Sequence, residues 1–228
     1  MNSIYGIILS GGIGKRMKYD TPKQFLSLDG DSILRHSIKN FKKWGLFKAI
    51  VIVAPEAYIE KTESELSDIL DDNDRIVIGG NTRHESTLNG ISAFNYENDL
   101  LVFHDAARPF VTPKDLDEVT NSALEYGSST LAEKISETLV NSSLNCVESI
   151  INRENAYSIK TPQAIHSSHL KNLLDAKYSI EPTDLCSWTS LIGLKTAIKI
   201  SNPYNIKITT NDDLQKAELF SRAFSILE

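Results

Sequence analysis

The start of the chain carries an apolar run that passes directly into a glycine-rich turn: Ile7-Ile8-Leu9-Ser10-Gly11-Gly12-Ile13-Gly14-Lys15-Arg16-Met17. A short apolar run bounded by glycine is typical of a strand that is buried in a parallel sheet. Glycine lets the backbone turn sharply and approach a ligand closely, so the N–H groups of the turn can face an anion. We therefore predict a strand-to-helix turn that binds phosphate, assisted by the cationic side chains of Lys15, Arg16 and Lys23. An ordinary turn with solvated cations is the alternative.

Two common phosphate-binding motifs do not fit this turn. The P-loop needs a glycine, four further residues and then Gly-Lys-Ser/Thr, but Leu9 and Arg16 occupy positions that the pattern reserves for other residues. The dinucleotide fingerprint needs a third glycine three residues after Gly14, where this chain has Met17. The turn therefore binds phosphate in another way, or not at all.

Apolar segments alternate with helical patterns along the rest of the chain, which predicts an α/β fold with a mostly parallel sheet flanked by helices. The length suits one domain, residues 1–228. The predicted strands are 5–9, 49–53, 75–78, 100–103, 197–200 and 205–209. The predicted helices are 33–44, 56–70, 87–94, 113–126 (capped by Thr112 and Gly127), 168–176, a stretch opened by 182–184, and 212–226 (capped by Asn211).

Residues 136–153 break this alternation. Short alternating pieces flank Asn141-Ser142-Ser143, a turn-forming cluster. The pattern predicts a β-hairpin that projects from the domain as an arm. Because a projecting hairpin exposes its edges, pairing with a second subunit would cover them and give a homodimer. A hairpin that lies flat on its own domain is the alternative.

Composition excludes several classes of protein. No apolar run is long enough to span a membrane, and no secretory signal opens the chain. The two cysteines, Cys146 and Cys186, form no CxxC motif and are expected to be reduced thiols in a cytoplasmic protein. The formal net charge of −6 argues against a nucleic-acid partner, which would need a basic face.

Polar residues follow the predicted strand ends, where ligands bind in open α/β sheets. Asp105 comes directly after an apolar run and is a candidate Mg²⁺ ligand, since Mg²⁺ favours one or two carboxylates with phosphate oxygens; a turn or cap aspartate is the alternative. Arg108 is suited to a phosphate or to a neighbouring subunit, the alternative being a surface ion pair. No metal-binding histidine pair, nucleophilic cysteine or GxSxG motif occurs. These residues favour phosphoryl or nucleotidyl transfer by positioning and charge stabilisation.

Several motifs, in order along nearly the whole chain, resemble those of the cytidylyltransferases that make CDP-alditols. That family includes the methylerythritol 4-phosphate and ribitol 5-phosphate enzymes. The matching motifs are 11–17, Pro22-Lys23-Gln24-Phe25, Gly79-Gly80 with Arg83 and Ser86, His104-Asp105-Ala106-Ala107-Arg108-Pro109, Asn152-Arg153, Thr161-Pro162-Gln163, Thr183-Asp184 and Asn205-Ile206-Lys207-Ile208-Thr209. The resemblance implies a Rossmann-like nucleotidyltransferase fold, with a β-arm that forms a homodimer.

The resemblance also implies roles for individual residues, with CTP and an alditol phosphate as substrates and Mg²⁺ as cofactor. The residues expected to contact the reacting phosphates are Arg16, Lys23 and Lys207. Those expected to bind the nucleotide are Ser10, Gly11, Gly12, Gly14, Gly80, Asn81, Arg83, Ser86 and Asp105, of which Asp105 would also bind the metal. Those expected to bind the alditol phosphate are Arg108, Thr138, Arg153 and Thr183, with Thr138 or Arg108 contributed by the partner subunit.

The sequence evidence on the acceptor is divided between two members of the family. Ala106-Ala107 resembles the methylerythritol enzymes, whereas Gly11-Gly12, Asn152, Tyr157 and Cys186 resemble the ribitol enzymes. We favour a ribitol 5-phosphate-like acceptor for cell-surface polymer synthesis, with methylerythritol phosphate in isoprenoid synthesis as the alternative. Ser187-Trp188 is expected to fill the alditol end of the pocket. A non-catalytic nucleotide-binding subunit, or transfer from a different nucleoside triphosphate, are the remaining alternatives.

Overall fold

The computed structural model describes residues 2–12 and 21–224 of the chain. Its strands are β1 (Ile4–Leu9), β2 (Ser27–Leu28), β3 (Asp31–Ser32), β4 (Ala49–Ala54), β5 (Arg75–Ile78), β6 (Leu100–Asp105), β7 (Ser128–Lys134), β8 (Leu139–Ser143), β9 (Cys146–Ile151), β10 (Tyr157–His166) and β11 (Ala197–Ile200). Its α-helices are α1 (Ile33–Trp44), α2 (Ile59–Leu66), α3 (Arg83–Ile91), α4 (Pro113–Tyr126), α5 (Leu170–Leu174), α6 (Leu185–Ser190) and α7 (Asn211–Phe224).

One large sheet organises the described residues, with strand order β11-β7-β10-β6-β1-β4-β5. All neighbouring pairs are parallel except the two that involve β10, which runs antiparallel to β6 and β7. The predicted mostly parallel sheet is therefore confirmed. In the register, Leu9 of β1 is the neighbour of both Val53 and Asp105. This register brings the glycine turn after β1 and the end of β6 to the same edge of the sheet.

Both faces of the sheet are buried. Successive strand residues point to opposite sides, and each side packs against its own apolar cluster. Ile8 packs with Leu34, Ile38 and Phe41 of α1 on one face. Its neighbour Ile7 packs with the cluster on the other face, which contains Ile91 of α3. The continuous apolar run of β1 is thus the sequence signature of a central strand covered by two helical layers.

Helix ends agree with the sequence where a cap is encoded. The side chain of Thr112 accepts a hydrogen bond from the Asp115 amide at the start of α4, and Asp115 completes a capping box. Gly127 ends the same helix with φ +85°, a backbone conformation that favours glycine. The helix predicted for 113–126 therefore has the predicted bounds.

Several predicted elements differ from the structure. Residues 205–209 are not a strand, and the strands β7 and β10 were not predicted. Helix α3 begins at Arg83 rather than at residue 87, because Thr82 accepts a hydrogen bond from the Glu85 amide and caps it there. Helix α7 already includes Asn211, and the hydroxyl of Thr210 accepts from the Asp213 amide.

The predicted hairpin exists as the two-stranded sheet β8–β9, which is separate from the large sheet. Its turn lies at Leu144 and Asn145, which have φ +49° and +63°, and the cluster at 141–143 belongs to β8. The prediction of the turn position was therefore wrong by a few residues. Among the described residues, no helix is both long and apolar enough to cross a bilayer.

Candidate active site

A cleft of about 400 Å³ opens where the carboxyl ends of β1 and β6 meet. Three of its lining side chains are cationic, and Asp105 is the one acidic lining residue in the described part of the chain. Ligands bind at this edge of open parallel sheets. The lining residues are Leu9, Gly11, Gly12, Lys23, Gly80, Asn81, Thr82, Arg83, Ser86, Asp105, Ala107 and Lys207.

Asp105, the last residue of β6, is held between two cations. Its Oδ1 accepts from Arg83 Nη2 at 3.0 Å, and its Oδ2 accepts from Lys207 Nζ at 2.7 Å. Burial alone would raise the pKa of the Asp105 carboxyl, but Arg83 and Lys207 outweigh burial and hold that pKa well below its usual range. The carboxylate is therefore ionised at neutral pH and fixes both cations at the cleft.

His104, the residue before Asp105 in β6, holds the end of the strand in place through its side chain. Its Nε2 lies 2.9 Å from the carbonyl of Arg108, which only accepts, so Nε2 carries the proton. Burial lowers the pKa of His104 to about 4, so the ring is neutral and Nδ1 accepts from the hydroxyl of Thr161 at 3.2 Å. That hydroxyl in turn accepts from the amide of Asp105 at 3.0 Å. The chain of bonds fixes the backbone that presents Asp105.

Two lysines reach the cleft from outside the large sheet: Lys207 from a segment without regular structure, and Lys23 from the start of a short 3-10 helix, Lys23–Phe25. Lys207 lies on the segment 205–208, which is tied to the turn after β6 because the Ile208 amide donates to the carbonyl of Ala107 at 2.9 Å. Lys23 Nζ donates to the carbonyl of Ile208 at 3.0 Å. The two lysines are therefore positioned by one strip of backbone.

The loop before α3 forms the opposite wall. The hydroxyl of Ser86 accepts from the Gly80 amide at 3.1 Å and donates to the carbonyl of Thr82 at 2.8 Å. A β-carbon built at Gly80 would lie 2.2 Å from the β-carbon of Glu85, so only glycine allows this approach. A β-carbon at Gly11 would lie 3.4 Å from Ser86 Oγ. The turn after β1 therefore closes directly onto the start of α3.

Most of the predicted nucleotide and phosphate residues are thus brought together. Thr82 also lines the cleft; it belongs to the polar stretch after the predicted strand 75–78, but the sequence analysis assigned it no binding role of its own. Ser10 lies beneath the cleft, where its carbonyl accepts from the side-chain amide of Gln24 at 2.9 Å. Gly14 and Arg16 lie outside the described residues.

The predicted alditol-phosphate residues do not line this cleft. Arg108 is buried behind it and donates to the carbonyl of Asn205 at 3.1 Å. Arg153 and Thr138 lie at the base of the hairpin, where Arg153 donates to the carbonyl of Ser136. Thr183 is exposed, two residues before α6. Their assignment to the acceptor stays a prediction.

Ser187 and Trp188 do not line this cleft. Ser187 belongs to the capping box of α6 with Asp184. Trp188 is buried in the core cluster that contains Ile7, and its indole N–H donates to the carbonyl of Leu173 at 3.1 Å. Trp188 also lines a small neighbouring pocket that includes Arg83, and the expectation that these two residues shape the alditol end of the site stays a prediction.

Comparison with known proteins identifies the family. The sequence model of 2-C-methyl-D-erythritol 4-phosphate cytidylyltransferase (IspD) matches residues 4–223. The chain belongs to this family.

Family members share both sequence and fold with the chain. A 2-C-methyl-D-erythritol 4-phosphate cytidylyltransferase from Leptospira borgpetersenii is 44% identical, covering 98% of this chain and 96% of its own. A ribitol-5-phosphate cytidylyltransferase from Lactiplantibacillus plantarum is 34% identical over 94% of this chain and 96% of its own. The crystal structure of 4-diphosphocytidyl-2C-methyl-D-erythritol synthase from Anaerococcus prevotii has a TM-score of 0.82 at 24% identity, covering 97% of this chain and 96% of that one. The resemblance and the Rossmann-like nucleotidyltransferase fold are therefore confirmed.

Proposed function

We propose that this protein transfers the cytidylyl group of CTP to the phosphate of an alditol phosphate, forming a CDP-alditol and releasing pyrophosphate. The observation that carries the proposal is the cleft at the ends of β1 and β6, which Lys23, Arg83 and Lys207 line together with the carboxylate of Asp105. This arrangement leaves net positive charge in a protein of formal net charge −6. A polyphosphate is the kind of ligand that such a local charge attracts.

The reaction needs no covalent intermediate. An oxygen of the acceptor phosphate attacks the α-phosphorus of CTP, the bond to the β-phosphate oxygen breaks, and pyrophosphate leaves in line. Repulsion between the anions is the main barrier, and fixed cations lower it when they face the charge of the transition state. We assign this work to Lys23 and Lys207, together with Arg16. The base and ribose are assigned to the wall formed by Gly11, Gly80, Asn81 and Ser86, with Ser10 beneath.

The residues present fit a magnesium ion that is held mainly by the nucleotide. Mg²⁺ bound with phosphates commonly takes one or two carboxylates from the protein, and Asp105 supplies an ionised carboxylate at the cleft. The described residues hold no cluster of three or more histidine, cysteine or acidic side chains that would bind a metal without the nucleotide. When bound, the ion would neutralise phosphate charge. The chain's own part is to keep Asp105 ionised and oriented.

Methylerythritol 4-phosphate is the first candidate acceptor, because the matching family and the relative at 44% identity are named for it. Ribitol 5-phosphate, which the sequence analysis favoured, is the second, supported by the relative at 34% identity. Cys186, one of the ribitol-like residues, contacts the buried side chain of Gln163 at 3.6 Å and does not line the cleft. It therefore weighs little in the choice of acceptor.

The deciding experiment measures pyrophosphate release with CTP and Mg²⁺, offering the two acceptors in parallel. We expect turnover with one of them, and loss of at least a hundredfold in kcat for Lys23→Ala and for Lys207→Ala, since each removes a cation from the reacting phosphates. Lys216→Ala, on the exposed face of α7, is the matched control and should keep full activity. CTP binding without turnover on either acceptor would favour a non-catalytic nucleotide-binding protein instead.

We also propose that the chain is one domain and forms a homodimer through the β8–β9 hairpin. Support comes from the exposed apolar side chains of the hairpin, which include Val140, Leu144, Val147 and Ile150. Pairing with a second copy would remove this apolar surface from water. A cytoplasmic location stays a prediction.

A further inference from the structure

Lys160 of β10 is a buried cation that the proposed reaction does not use. The side chain is only 7% exposed, and it does not line the cleft. Its ammonium group lies 2.9 Å from Glu133 Oε2 and donates to the carbonyl of Asn205 at 3.1 Å. Lysine is almost never buried to this extent unless it is paired. The burial of its charge therefore needs an explanation in terms of what it binds.

A second cation converges on the same oxygen. Arg108 Nη1 also donates to the carbonyl of Asn205, again at 3.1 Å, while its Nε is buried with no partner among the described residues. Burial lowers the pKa of the Arg108 guanidinium, which shows that its surroundings disfavour the charge. The acidic residue paired directly with this cluster, Glu133, has a side chain that is 63% exposed. Two cations thus share one carbonyl, and the acidic groups that favour the charge of Arg108, Asp105 and Glu133, do not outweigh the effect of its burial.

Such an arrangement is a poor way to gain stability, because desolvating charges costs free energy that apolar packing would not. What it does provide is a fixed carbonyl. Asn205 is fully buried, and its side-chain amide donates to the carbonyl of Thr161 and to the hydroxyl of Ser201, each at 2.9 Å. The residue is therefore held from its side chain and from its backbone at once.

The segment held in this way carries Lys207. Residues 205–208 belong to no strand, so they have no ladder of hydrogen bonds to set their position. Lys207 is only two residues from the clamped carbonyl, a span of at most about 7 Å. It reaches Asp105, and Lys23 donates to the carbonyl of the next residue, Ile208. Displacement at Asn205 would move both lysines relative to the reacting phosphates.

We infer that Lys160 is a positioning residue for the transfer reaction: with Arg108, it clamps the carbonyl of Asn205 and thereby fixes the segment that places Lys207 and Lys23 at the cleft. Lys160 itself touches neither nucleotide nor acceptor. The inference rests on the proposed function for its kinetic consequence, but its structural consequence, the order of residues 205–208, is independent of any activity.

The test compares Lys160→Met, which removes the charge and keeps the length, with Lys160→Arg, which keeps the charge. We expect Lys160→Met to lower kcat by about tenfold to a hundredfold, because small displacements of positioned groups cost rates of that order. The KM for CTP should change by less than about threefold, since the other cations remain, and Lys160→Arg should restore most of kcat. Lys199→Met, which removes a half-exposed lysine paired with Glu118 at 3.6 Å, is the control and should leave kcat unchanged.

Hydrogen exchange supplies the readout that does not need turnover. The amide of Ile208, which donates to Ala107, should exchange at least tenfold faster in Lys160→Met, whereas amides of β1 and β4 should keep their protection. If Lys160→Met does not fold, Lys160→Gln, which replaces the ammonium group with a shorter neutral amide, should show the same pattern to a smaller extent.

The outcomes separate the two claims. A wild-type protein that releases no pyrophosphate overturns the proposed function, and the exchange data then decide whether the clamp exists. An active wild type whose Lys160→Met variant has unchanged kcat, or a loss of kcat without faster exchange at Ile208, overturns the inference.

Discussion

At the scale of single residues, Asp105 determines how the cations of the cleft are arranged before any ligand binds. Its two oxygens accept hydrogen bonds from Arg83 and Lys207. Neither cationic side chain therefore has to lose conformational freedom when a polyphosphate binds. Fixed charges cost no reorganisation at the moment of reaction, which is why they are more effective than mobile ones. The carboxylate lowers the net positive charge, but it makes the positions of the remaining charges definite.

Cys186 gives a pH-dependent prediction at the same scale. Burial, with a contribution from Asp184, raises the pKa of its thiol to about 11, so only about one thiol in a thousand is ionised at pH 8. In a Cys146→Ser background we expect the native thiol to react with an alkylating reagent at least a hundredfold more slowly than in denaturant. The native rate should rise about tenfold per pH unit between 8 and 10, because thiolate is the reactive form. Rapid native labelling at pH 8 would contradict the raised pKa of the Cys186 thiol.

At the scale of elements, the approach of α3 to the sheet depends on Gly90. A β-carbon at this position would lie 2.6 Å from Ile7 Cγ2 and 2.9 Å from Val53 Cγ2, two side chains that are fully buried. Gly90→Ala should therefore destabilise the protein by about 1–3 kcal/mol through overpacking, although alanine is favoured over glycine in helices by about 1 kcal/mol.

Urea denaturation followed by circular dichroism measures this effect. Ser64→Ala, on the exposed face of α2, is the reference for alanine at a helical surface and should change the free energy of unfolding by less than about 0.5 kcal/mol. A stabilised Gly90→Ala variant would mean that α3 does not pack this closely on β1 and β4.

The same elements show what the sequence can reveal. Helix α4 was predicted with its correct bounds because both of its ends are encoded locally, by Thr112 and Gly127. Strand β10 was not predicted, since it contains Pro162 and polar residues and depends on pairing with β6 and β7. The segment 205–209 alternates like a strand, but the carbonyl of Asn205 bonds to two side chains instead of a neighbouring strand.

Residues of the candidate site likewise fall into those that the sequence reveals and those that only the folded structure reveals. Gly11, Gly80 and Asp105 were found because they follow apolar strands, where the fold places ligands. Lys160 was not found, because nothing local distinguishes a lysine that will be buried from one that will be solvated. Its role depends on Arg108 and Asn205, which are distant in sequence and meet only in the folded chain.

At the scale of the whole molecule, the β8–β9 hairpin leaves apolar side chains exposed that a second copy would cover. Val140 and Ile150 are paired neighbours in the register and so share one face, while Asn141 and Ser149 share the other and bond to each other at 3.0 Å. The side chains of the polar pair already have a hydrogen-bond partner within the hairpin. Leu139 and Ile151, at the base of the hairpin, share the face of the polar pair, but Val140 and Ile150 are together the more exposed apolar pair. Their face is therefore the one on which we expect the partner subunit to pack.

This assignment of faces makes the dimer testable with two substitutions on one strand. Ile150→Glu places a charge on the apolar face and should weaken dimerisation at least tenfold, because an unpaired carboxylate would have to be desolvated in the interface. Ser149→Glu adds the same charge on the opposite face and should leave the dimer intact. Sedimentation velocity over a range of concentrations measures both, and circular dichroism checks that the large sheet is unaffected. Equal weakening by the two variants would show that the partner packs on both faces, and a monomeric wild type would remove the hairpin's proposed role altogether.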